Sequence, residues 1–132
     1  MLAWEDGYRI GHVDMDAQHL ILFSLLNQID INLQAGMTKR CAVDLLGALT
    51  AYIEYHFAHE EALMLYHGYP GLDAHAATHH TFVAEVARLR CKLDSGDVAA
   101  ATEEMRKAVL DWLLGHILET DTDYVRFIAA KG

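Results

Sequence analysis

The stretch from His56 to His79 constrains this chain more than any other. It holds a His-x-x-x-Glu pair, His56 and Glu60, and a His-x-x-x-His pair, His75 and His79. On an α-helix, residues four apart stack on one face, with Cβ atoms roughly 5–6 Å apart. Each pair therefore aims two ligand-type side chains at one point. Between the pairs, Gly68-Tyr69-Pro70-Gly71 breaks the helix and lets the chain turn back antiparallel. Two antiparallel helices would then bring three imidazoles and a carboxylate to one interior spot. Rival motifs fail on spacing. His59-Glu60 is followed by Leu63 where a zincin needs His. No Glu has a His three residues later, as ferritin-like di-iron sites require. No Cys-x-x-Cys occurs. A His-rich, carboxylate-poor set suits iron, zinc, copper or nickel better than magnesium or calcium.

The rest of the chain has the means to build that arrangement. Its 132 residues are one domain's length, 53% are hydrophobic, and only one is Pro. Abundant Ala, Leu and Glu favour an all-α fold. A net charge of −9 argues against nucleic acid or an anionic membrane surface as partner. Cys41 and Cys91 give no disulfide framework and read as two reduced thiols. The acidic N-terminus lacks a signal pattern, and no apolar run is long enough to span a membrane, so a cytoplasmic location is expected.

Helical periodicity predicts four helices. Residues 1 to about 14 form an arm whose Trp4, Tyr8, Ile10 and Val13 pack onto the bundle, with His12 a surface or supporting residue. The first helix starts near Asp14 or Asp16, either able to N-cap, and ends at Ala35-Gly36. Its inner stripe is His19, Leu22, Phe23, Leu26, Ile29 and Leu33. The second runs from a Thr38 cap to about His67, with Ile53, His56 and Glu60 on its stripe, Glu61 solvated and His59 a boundary or supporting residue. The third runs from about Leu72 to Leu93 with His75, His79 and Phe82 inward and His80 exposed. The fourth runs from about Asp97 to His116, with Val109, Trp112 and Leu113 before that His.

Each helix thus offers an inward histidine. In an up-down-up-down bundle, at about 1.5 Å rise per residue, His19, His56, His75, His79 and His116 all fall toward one end. The facing carboxylate after His116 is ambiguous. Simple periodicity nominates Glu119, because Asp121 lies about 140° round an undistorted helix.

The motifs together resemble the hemerythrin family. The matching residues are Asp16-Ala17-Gln18-His19, His56-Phe57-x-x-Glu60-Glu61 with Met64, and Tyr69-Pro70. They continue as His75-x-x-x-His79-x-x-Phe82 and end as Trp112-Leu113-x-x-His116-Ile117-x-x-x-Asp121-x-x-Tyr124. With Trp4 they span essentially residues 1–132 as one domain. Extra histidines at 12, 59, 67 and 80, and Leu20-Ile21 after His19, depart from the pattern without touching a motif position.

The resemblance implies a four-helix bundle with an N-terminal arm and a short C-terminal helical turn. It implies two irons, cycling between ferrous and ferric, with an oxo or hydroxo bridge and reversible O2 binding. His75, His79 and His116 would hold one iron; His19 and His56 would hold the other, which keeps an open position. Glu60 and Asp121 would bridge the two, and Trp112 and Leu113 would line an apolar O2 pocket. If Asp121 is a ligand, the helix must stop or distort between Ile117 and Asp121, by a terminal turn or a π-type bulge. Thr120, Asp121 and Thr122, weak helix formers, permit this. A separate short turn would then carry Tyr124 and Phe127. The implied role is an O2 carrier, store or delivery protein, not an enzyme, serving an oxygen-using enzyme or a signalling partner. The alternatives are an O2- or redox-sensing module and a di-iron catalyst acting on peroxide or nitric oxide.

Overall fold

Helix α1 spans Val13–Ala35, α2 Lys39–Tyr66, α3 Leu72–Ser95 and α4 Val98–Gly115 in the computed structural model, which describes residues 6–36 and 38–131. A single 3-10 turn, Asp6–Tyr8, precedes α1. A π-helical segment, His116–Asp121, follows α4 and leads into α5, Thr122–Lys131. No strand occurs among the described residues. Each of the four long helices packs on its neighbours in sequence, and α1 closes against α4. This is the expected all-α up-down-up-down bundle. Trp4 lies outside the described residues.

Local chemistry explains the helix ends. Thr38 caps α2 as expected, its hydroxyl accepting the Cys41 N–H at 3.2 Å. Asp97 caps α4 through Ala100 N–H at 3.1 Å. Gly36 ends α1 at φ +89°, a left-handed conformation open to glycine. The start of α1 differs from expectation. His12, not Asp14 or Asp16, is the N-cap, with Nδ1 3.4 Å from the Met15 N–H. Asp16 is occupied elsewhere: its carboxylate accepts from Ile10 N–H at 2.8 Å and Gly11 N–H at 3.3 Å, tying the arm to the helix.

The α2–α3 turn sets the relation of the two ligand-bearing pairs. Gly68 sits at φ +66°, and the Tyr69 N–H reaches back to the Met64 carbonyl at 2.9 Å. At Gly71 a Cβ would lie 2.7 Å from the Tyr69 ring, so any other residue there would push that ring from its seat. The C-terminus is longer than expected. Instead of a short turn, α5 is a ten-residue helix whose Lys131 Nζ donates to the His67 carbonyl at 2.6 Å, fastening it to this turn.

The apolar interior comes in two parts. The larger holds Leu22, Phe23, Leu26, Leu49, Ile53, Phe82, Val109, Leu113 and Ile117, with others. The smaller, Met15, Met64, Tyr124 and Val125, is closed over by Ile10, Leu63, Tyr69, Leu72 and Ile128. α5 supplies Tyr124 and Val125 to that second part.

Candidate metal centre

The helices carry a polar cluster into this interior. His19, His56, Glu60, His75, His79, His116 and Asp121 are each 5% exposed or less. Two regular helices place four of them. His56 and Glu60 are one turn apart on α2, and His75 and His79 are one turn apart on α3. His19 comes from the first half of α1, and His116 opens the π-helical segment. That segment bears on the ambiguous carboxylate. Its wider winding brings Asp121, five residues on, back toward His116, with Asp121 Oδ1 2.8 Å from His116 Nε2. The side chain of Glu119 is outside those described.

Two overlapping sets emerge. Glu60, His75, His79 and His116 offer donor atoms within 4.8 Å of one another; so do His19, His56, Glu60 and Asp121. Both carboxylates face both sets. Asp121 Oδ1 is 3.1 Å from His75 Nε2, while its Oδ2 is 3.1 Å from His19 Nε2. Glu60 Oε1 is 3.2 Å from His56 Nε2 and 3.3 Å from His79 Nε2. Glu60 Oε2 accepts the Tyr124 hydroxyl at 2.6 Å.

Apart from His79 Nε2 and His116 Nε2, 3.1 Å apart, these contacts do not form a hydrogen-bond network. His19 Nε2, His56 Nε2, His75 Nε2, Glu60 Oε1 and both Asp121 oxygens are buried without a hydrogen-bond partner, despite neighbours near 3 Å. Ligand atoms about 2.1 Å from one ion, set at right angles, lie about 3 Å apart. The separations of 2.8 to 3.3 Å match. Every ion-pair distance that Glu60 and Asp121 make among the described residues is to a histidine, with no Lys or Arg beside them. Buried carboxylates so arranged are costly unless a cation joins them. The donor set therefore fits a pair of transition-metal cations.

Without a cation the cluster settles its charge internally. Burial would raise the Glu60 carboxyl, but the facing imidazoles of His116, His56, His75 and His79 hold it well below the usual range. Burial and the charge of Glu60 raise Asp121, and contacts from His116, His19 and His75 bring it below its ordinary value. Burial lowers His75, yet the Asp121 and Glu60 carboxylates lift it to about 9. His116 is raised for the same reasons. Burial, then the Glu60 and Asp121 charges, drive the Tyr124 hydroxyl far up, so it stays a donor.

Aromatic rings wall the cluster. Phe57 stacks on His79, centroids 3.7 Å apart at 3°. Trp112 stacks on His116 at 4.2 Å and on Phe82 at 4.0 Å. Leu113 is 2% exposed and packs in the larger core.

Several supporting residues were not assigned from sequence. Gln18 Oε1 lies 2.7 Å from His56 Nδ1, and Gln18 Nε2 lies 2.6 Å from His59 Nδ1. Glu61, expected to be solvated, is only one-third exposed and lies 3.2 Å from His79 Nδ1. The available signal was chemical: a ligating imidazole needs a partner for its second nitrogen. Gln18 beside His19 and Glu61 beside Glu60 were polar residues next to the stripe.

Fold and centre together define a class: helical bundles that hold cations between histidines and shared carboxylates of facing helices. The chain belongs to the hemerythrin family; the model of the hemerythrin HHE cation binding domain matches residues 11–128. It is 31% identical over 130 residues to a bacteriohemerythrin of Stenotrophomonas maltophilia, covering 98% of this chain and 83% of that protein. It is 30% identical over 122 residues to a myohemerythrin of Riftia pachyptila, covering 92% and 89%. A crystal structure of wild-type hemerythrin superposes with a TM-score of 0.79 at 28% identity, covering 94% of this chain and 95% of that one. No described helix is long and apolar enough to cross a membrane.

Proposed function

We propose that this chain holds two irons and binds O2 reversibly between them and an apolar wall, as a carrier, store or delivery protein and not as an enzyme. One observation carries the reading. Glu60 and Asp121 face two histidine sets of unequal size, three on one side (His75, His79, His116) and two on the other (His19, His56). With both carboxylates shared, His19 and His56 would give the second ion one protein ligand fewer than His75, His79 and His116 would give the first, which would leave room for a small molecule. Kinship with bacteriohemerythrins and a myohemerythrin supports iron as the metal and O2 as the ligand.

An iron pair, held by these residues, would supply the electrons with which O2 is bound. The protein's own groups do the rest. Five imidazoles, neutral when they ligate, let the centre tolerate both ferrous and ferric charge. Tyr124 holds Glu60 by its outer oxygen, so that Oε1 stays turned inward. Phe57, Leu113 and Ile117 keep the neighbourhood dry, which limits proton entry and irreversible oxidation.

The test is direct. Protein made in iron-replete cells should contain close to two irons per chain. Its reduced form should bind O2 and release it under vacuum through repeated spectral cycles. Immediate stoichiometric oxidation at each exposure would end the carrier reading; steady turnover of peroxide or nitric oxide with added reductant would make it a catalyst. Leu113→Ala should speed autoxidation several-fold by admitting water and cost about 2–5 kcal/mol of stability. An unchanged autoxidation rate would show that Leu113 does not guard the centre.

A further inference from the structure

His56 can serve a cation through Nε2 only if the ring proton sits on Nδ1. That proton needs an acceptor, and Gln18 Oε1 lies 2.7 Å away. An amide, however, can face either way. Turned over, Gln18 would offer its NH2 to His56 Nδ1. The ring would then carry its proton on Nε2, the atom that faces Glu60 Oε1 at 3.2 Å, and could not ligate.

The other end of the amide decides between these states. Gln18 Nε2 lies 2.6 Å from Nδ1 of His59, a half-buried ring standing edge-on to Tyr55 at 6.1 Å. When His59 presents a lone pair on Nδ1, it takes the amide N–H and leaves the oxygen for His56. Gln18 is itself buried, 6% exposed, so it has little water to turn toward. His59 lies three residues after His56 on α2 and points to the side of the cation stripe, which is why periodicity alone placed it at the boundary.

We propose that His59 is a positioning residue. Acting through Gln18, it fixes which nitrogen of His56 carries the proton and so keeps the two-histidine half of the centre ready for its cation. The inference rests on the two-cation reading of the centre and goes beyond the ligand set. Supporting groups of this kind typically change metal retention about 10- to 100-fold when removed.

The experiment is chelator competition on the iron-loaded full chain, following loss of each iron separately. His59→Leu should lose one iron about tenfold faster and leave the other at the wild-type rate. His59→Gln, which can still accept the amide N–H, should restore it. Gln18→Glu offers His56 an acceptor whichever way it turns, so His59→Leu should have little further effect on that background. Equal release from wild type and His59→Leu would overturn the proposal. Equal acceleration of both irons, failure of the Gln variant, or an undiminished effect on the Gln18→Glu background would do so too, since each marks a merely structural role. If the wild-type chain takes up no iron pair, the iron reading fails by itself; the same competition with zinc then decides the role of His59.

Discussion

His75 with His79 and His116 with Asp121 bring donor atoms into one cluster from different backbones. The first pair is four residues apart on an unbroken helix. The second is five apart across a π-helical segment. In a regular helix five residues turn the side chain about 140° off the face. The extra residue per turn brings Asp121 back to 2.8 Å from His116 Nε2 and 3.1 Å from His75 Nε2. An α-helix offers ligand pairs on one line. Reaching a carboxylate that also faces His19 on α1 takes a departure from that line. Of these two pairs only the irregular one reaches both sets; Glu60 does so from the unbroken α2.

The largest effect should come from breaking the irregular pair. Asp121→Ala removes the oxygens facing His19 on one side and His75 and His116 on the other. Iron content should fall from two per chain toward one or none, with retention at least about tenfold weaker. Glu119→Ala should leave iron content and the O2 spectrum nearly unchanged. The reverse outcome, measured by metal analysis, would mean that simple helical periodicity names the ligand and the π-helical register does not.

The same contrast shows what could be read from the sequence. The bundle, its antiparallel order and the inward histidines follow from apolar and ligand periodicity, because regular helices turn spacing into direction. His19, His56, Glu60, His75 and His79 belong to that legible part. Asp121 needed a backbone departure that periodicity does not encode; only the family motif pointed to it, and Thr120 to Thr122 permitted it. The cap of α1 was misjudged because Asp16 turns back to Ile10 and Gly11, a choice made by the arm's path. Gln18 and Glu61 were missed as partners because their targets sit on other helices; His59 was legible as a boundary or supporting residue, but its partner Gln18, on α1, was not.

A second test sharpens the comparison through pH. In the metal-free protein the two pairs are bound by charge: burial lowers His75, but Asp121 and Glu60 raise it to about 9. A raised histidine stabilises the fold fully below its ordinary value and loses that contribution as pH climbs through about 9. Glu60 and Asp121, both lowered, contribute above the usual carboxylate range and lose it in acid. Chelator-stripped protein should therefore be most stable at mildly acidic pH, and its Tm should fall from about pH 6.5 toward pH 9. Iron-loaded protein should not follow, because ligation needs neutral imidazoles and strengthens as they deprotonate. Parallel Tm curves for the two forms would show that the carboxylate–histidine contacts are not the metal site.

The smallest effect isolates the backbone itself. Thr122 Oγ1 donates to the Ile117 carbonyl at 3.3 Å, spanning five residues of the π-helical stretch. Thr78 Oγ1 donates to the His75 carbonyl at 2.7 Å on the regular helix. The two threonines make the same kind of bond under different demands. The His75 carbonyl lies in a helical ladder that already supplies a donor, so the Thr78 hydroxyl is an addition. In the wider winding, the Thr122 hydroxyl helps hold a conformation that the α-helix competes with. Thr122→Val keeps shape and branching while removing the donor. It should cost about 1 kcal/mol in denaturant unfolding and shift the O2 spectrum slightly as Asp121 moves. Thr78→Val should cost only a few tenths of a kcal/mol and leave the spectrum alone. Equal costs and equal spectra would mean that the π-helical turn is held by its ligands and neighbours, with no help from Thr122.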